Sequence, residues 1–122
     1  MKQELSDRLL SFSITIIKFL RKFDNTPENN VIKYQLIKSS SSTGANYEEA
    51  QGASSKADFT NKVRISLKEI RETNYWLKVL KGINENSEIL NDLESLLSES
   101  EELKKILGAI CATASGNRKE YL

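Results

Sequence analysis

Along the last third of the chain, Ile89, Leu93, Leu96, Leu103, Leu107 and Ile110 recur at steps of four, three, seven, four and three, with Leu90 and Leu97 beside them. A helix turns once in about 3.6 residues, so this spacing gathers all of them on one side of a rod. The segment NENSEILNDLESLLSESEELKKILGAIC therefore predicts an amphipathic helix. Asn86 or Ser87 is placed to cap it, Glu88 suits its positive end, and Lys104 and Lys105 follow the acidic run. Such a rod needs partners for its apolar side, and the rest of the chain supplies them.

In SDRLLSFSITIIKFLRKF, Leu9, Ile16, Leu20 and Phe23 stand at helical intervals, Leu10 and Ile17 lie alongside, and Ser13 completes the stripe. The β-branched run ITII alone would suit a strand, but a strand leaves LLSF and FLRKF unexplained. Helix is preferred, with Ser6 as its candidate cap. DNTPEN then stops the chain and restarts it, with Thr26 as N-cap, Pro27 at the first helical position and Glu28 at the positive end. Later, Ser55 to Asp58 reads as a capping-box variant opening SKADFTNKVRISLKEIRETNYWLKVLKG. Its core row is Phe59, Val63, Leu67, Ile70 and Leu77, with Asn74 in line and Gly82 at the end.

Between these rods sits QLIKSSSSTGANYEEAQG, which resembles a linker in composition only. Gln35, Ser39, Ser42, Asn46 and Glu49 step by four, three, four and three, which keeps them on one helix face. Serine costs about half a kcal/mol of helix propensity relative to alanine, and glycine up to about 1 kcal/mol. The run therefore predicts close approach of the next helix, with hydroxyls bonded to backbone carbonyls. Ser42 to Gly44 is where this helix would break, and Gly52 closes it. The same reading groups Gln35, Ser39, Ser42, Asn46, Glu49, Ser66, Glu69 and Thr73 as a polar packing network.

Four helices joined by short connections in 122 residues give an all-α, up-down-up-down antiparallel four-helix bundle over residues 1–115, with 116–122 as a frayed tail. Cys111 is alone, which excludes an internal disulfide and suits a buried apolar position in a reducing, cytoplasmic setting. No stretch reads as a secretory leader or a membrane span.

The chain contains no histidine, which removes histidine metal pairs and histidine-based triads, and its glycines follow no phosphate-loop pattern. Glu48, Glu49, Glu69 and Glu72 either converge as a carboxylate cluster between helices 2 and 3 or belong to solvent and the polar network. The reading is no catalytic, cofactor or metal site and no small-molecule substrate. Net charge is +1, yet Ser55 to Gly82 holds seven basic and three acidic side chains while Asn84 to Leu107 holds seven acidic and two basic. On helix 3, Arg64, Lys68, Arg71 and Lys78 form a basic stripe with Tyr75 in the row: either a solvated face or a contact for RNA or DNA. Ile65, Trp76 and Val79 project away from the core row with Glu69 and Glu72. They mark either a wide core with a half-exposed tryptophan or a face that packs on another subunit.

The stretch QLIKSSSSTGANYEEAQGASSKADFTNKVRISLKEIRETNYWL resembles the signature of the four-helix bundle family encoded in intervening sequences of bacterial 23S ribosomal RNA genes. It is similar also to the accessory variability protein of diversity-generating retroelements. Matching positions are Gln35, Leu36, Ser39, Ser42, Asn46, Glu49 and Gly52, then Ala57, Asp58, Phe59, Glu69, Glu72, Thr73, Tyr75, Trp76 and Leu77. The resemblance implies ring-like homopentamers and brings no catalytic residue. For the retroelement members it implies nucleic-acid and reverse-transcriptase binding through a markedly basic surface, from which this chain departs in net charge.

Overall fold

The structure, a computed structural model, describes residues 2–116. Four helices follow one another: α1 Lys2–Leu20, α2 Pro27–Gln51, α3 Lys56–Ile83 and α4 Ser87–Ser115. Each packs on its neighbours in the cyclic order α1, α2, α3, α4, and among the described residues no diagonal pair of backbones comes within 8 Å Cα to Cα, which is the antiparallel four-helix bundle expected. The tail 117–122 lies outside the described residues.

Local chemistry sets the boundaries. Thr26 accepts the Asn29 amide at 3.1 Å with Pro27 just behind it, Ser55 accepts from Asp58 at 3.0 Å, and Asn86 accepts from Ile89 at 3.1 Å. The Asp58 carboxylate reaches back to the Ser54 amide, one residue beyond the N-cap amide of Ser55 that the usual capping box engages. Gly116 ends α4 at φ 74, a left-handed position that suits glycine. Ser6 does not cap α1. The helix starts at Lys2, because the strong helix formers Lys2 to Glu4 extend it and Leu5 is drawn into the core.

The core fills the length of the bundle, with Leu9, Ile16, Leu36, Val63, Ile70, Leu77, Leu93, Leu103 and Leu107 fully enclosed and Cys111 buried near one end. On α1 the buried row is completed by Phe12 and Phe19, and Leu10, read as part of the stripe, is 60% exposed. α1 is apolar around more than half its circumference, so which flank turns inward is decided by the neighbours it meets.

α2 runs unbroken through Ser42 to Gly44. Ser39, Ser40 and Thr43 are as buried as the leucines. A Cβ added to Gly44 would stand 3.5 Å from the Leu9 Cβ, an ordinary contact, so glycine here is tolerated and not required.

Candidate functional site: the faces of the bundle

Four helices in cyclic order make four faces, and their chemistry differs. The α2/α3 seam is closed by hydroxyls. Ser66 Oγ donates to the Thr43 carbonyl at 2.6 Å, and the Thr73 and Ser39 hydroxyls lie 2.8 Å apart. Thr73 Oγ1 is also 2.9 Å from the Glu69 carbonyl, so both contacts are satisfied when Ser39 donates to Thr73 and Thr73 donates on. Thr43 bonds back to the Ser39 carbonyl and Asn46 to that of Ser42, both at 2.8 Å. Of the residues grouped from the sequence, Ser39, Ser66 and Thr73 thus meet across the seam. Gln35, Ser42 and Asn46 flank it half-buried, Glu69 joins through its backbone carbonyl, and Glu49 is exposed near Lys62 at 3.6 Å. Thr43, Ser40 and Ser100 carry no signal of this kind in the sequence; Asn74, read there as in line with the core row, donates to Ser100 at 2.7 Å between α3 and α4. Thr43 falls one step off the row of Ser39 and Ser42, and a pair between helices has no spacing signal.

Outside that seam runs the row Ile65, Glu69, Glu72, Trp76, Val79 and Ile83. Ile65 and Ile83 are 44% and 50% exposed, whereas Trp76 and Val79 are half-buried and rest partly on the core. Trp76 therefore rests against the core instead of pointing straight out. Its buried indole Nε1 has no hydrogen-bond partner among the described residues. Glu48, Glu49, Glu69 and Glu72 do not converge: no group of three or more such ligating side chains comes together among the described residues.

The α1/α2 face is the second apolar one. Leu10, Ala45 and Ser41 border a groove beside Gly44 with Asp7 and Glu48 also in its lining, and Ile14, Tyr34 and Ile37 continue it along the same helix flanks, exposed at 44%, 63% and 38%. Val31 stands at the outer corner of α2.

The remaining two faces are charged. Across α1/α4, Arg8 forks onto Glu99 at 2.8 and 3.1 Å over a groove of about 740 Å3 walled by Ser11, Thr15, Ser95 and Ser98, and Lys22, just past α1, meets Asp92 at 2.6 Å beside a second depression of about 260 Å3. The Glu99 hydrogen bonds hold the Arg8 guanidinium above its usual pKa.

On α3/α4 the basic stripe comes to lie against further cations. Arg71 borders a groove of about 410 Å3 together with Lys104 and Lys105 of α4, above Leu67, Gly108 and Ala109. Arg64 borders a neighbouring depression with Lys56 and Ser115. Arg64, Lys68, Arg71 and Lys78 are all exposed, as is Tyr75, whose ring stands edge-on to Trp76 at 5.2 Å. Glu101 is tied to Lys104 at 3.1 Å, and that hydrogen bond holds its carboxyl below the ordinary range, with Lys78 adding to the effect. Lys81 pairs with Glu94. Arg64, Lys68, Arg71 and Lys105 form no ion pair among the described residues.

The family model of the 23S rRNA-intervening sequence protein matches residues 2–109, which take in all of α1 to α3 and most of α4. The chain belongs to that family. It is similar to a crystal structure described as a protein of unknown function from the S23 ribosomal protein family of Bacteroides thetaiotaomicron, at TM-score 0.78 and 35% identity, over 91% of this chain and 98% of that one. No curated protein sequence matches. Among the described residues no helix is long and apolar enough to cross a membrane.

Proposed function

We propose that this intervening-sequence protein is a non-enzymatic homo-oligomer acting as a scaffold or interaction module, with a ring-shaped pentamer as the favoured assembly. One observation carries the reading. Of the eight exposed large hydrophobics among the described residues, Leu10, Ile14, Val31, Tyr34, Ile37, Ile65 and Ile83 gather on the two faces that adjoin α2, and Tyr75 alone stands with the charged faces that adjoin α4. Apolar side chains segregated in this way suit association. The α1/α2 and α2/α3 faces are not copies of each other, and a contact between unlike faces is head-to-tail, closing into a ring or extending into a filament. Five copies are favoured by the resemblance to ring-forming relatives. Ile65, Trp76 and Val79 sit on one of the two faces, where a neighbour would cover them. Light scattering on the purified chain at micromolar concentration should return about five times the 13.8 kDa chain mass. A monomer would remove the reading.

A second reading is an accessory protein for RNA or DNA. It is favoured by the way Lys104 and Lys105 extend the stripe of Arg64, Lys68, Arg71 and Lys78 into a two-helix basic face, although the whole chain is almost neutral. A face of this kind attracts phosphate by counterion release, so binding should fall steeply with salt.

A further inference from the structure

Resting on the nucleic-acid reading above, we infer that the α3/α4 face takes a single strand and not a duplex, with phosphate caught between Arg71, Lys104 and Lys105 and a base laid on Tyr75. The groove sets the size of what enters. Its floor is Leu67, and on the α4 side Gly108 and Ala109 leave no long side chain between the lysine pair and α3. Packed helix axes lie about 8–10 Å apart, so the depression between them admits one sugar-phosphate chain. A rigid double helix would rest on the outer cations and leave the groove empty.

Charge and aromatic surface then lie one helical turn apart on α3. Arg71 and Lys105 stand on opposite sides with no carboxylate partner among the described residues, no acid is among the residues that line the groove, and Lys104 is the lining cation that is paired, to Glu101. Tyr75 follows one turn after Arg71, 59% exposed, its ring braced by Trp76. A cationic groove beside an open aromatic is the arrangement that holds unpaired strands, since every base has a face to stack and the backbone supplies the charge. Base pairs in a duplex are already stacked on each other and give Tyr75 nothing to gain.

Fluorescence anisotropy of the full chain tests this, using a labelled RNA of about twelve nucleotides, free and paired with its complement, at low salt. The free strand should bind about tenfold tighter than the duplex or better. The double variant R71A/K105A should weaken it about tenfold and lower the salt dependence by about two phosphates' worth. Tyr75→Ala should weaken it about fivefold or more, while Tyr75→Phe and the distant Lys18→Ala bind as the parent does. All these positions are at the surface, and circular dichroism will confirm that the variants fold. A duplex bound as tightly as the strand, or binding that persists unchanged in R71A/K105A, overturns the single-strand groove and leaves the broader nucleic-acid reading standing. If neither form binds, both fall.

Discussion

The α2/α3 and α1/α4 seams close the same bundle by opposite means. Between α2 and α3 the side chains are small, enclosed and hydrogen-bonded to each other or to the facing backbone: Ser39 with Thr73, Ser66 with Thr43. Between α1 and α4 the contact is the thinnest of the four, the groove stands open beside Arg8–Glu99, and a second surface ion pair, Lys22–Asp92, lies further along the seam. Buried hydroxyl contacts are costly to disturb, because a lost partner leaves a polar group without water. Ion pairs whose side chains are a third or more exposed contribute little. One seam therefore fixes register and the other mainly keeps its surface wet.

The comparison breaks if its tight side tolerates bulk. Ser39→Leu should destabilise the fold by about 3 kcal/mol, from overpacking against α3 together with the lost bond to Thr73, read as the midpoint shift in urea. A loss below about 1 kcal/mol would mean that the seam has slack. Gly44→Ala sharpens the picture in the other direction. It faces Leu9 of α1 at ordinary contact distance, so the substitution should stabilise by up to about 1 kcal/mol through helix propensity. If it destabilises instead, α1 and α2 pack more closely than the 3.5 Å separation indicates. The smallest effect belongs to the open seam. A double-mutant cycle on Arg8 and Glu99 should give about 0.5 kcal/mol, fading in high salt.

The same contrast explains what could be read from the residues. The steps from Gln35 to Glu49 are visible in the chain, because a helix converts regular spacing into a shared face, and a row of small residues implies something pressed against it. Asn74 was legible as a core position for the same reason. Its partner Ser100 was not, since their pairing depends on the register of two helices that sequence spacing does not encode. Lys104 and Lys105 read as a favourable charge for the end of an acidic run, and only the packing of α4 on α3 brings them to Arg71. On α1, Leu10 and Phe12 are equally apolar, so periodicity alone had no means of sending Phe12 inward and Leu10 out.

Native-state amide exchange measures the two seams in one experiment. Amides from Ser39 to Ala50 should open only with global unfolding, while those of α1 exchange through a cheaper, partial opening along the α4 side. If the serine-rich stretch exchanges as fast as α1 or faster, the claim that small hydrogen-bonded side chains lock α2 to α3 is wrong.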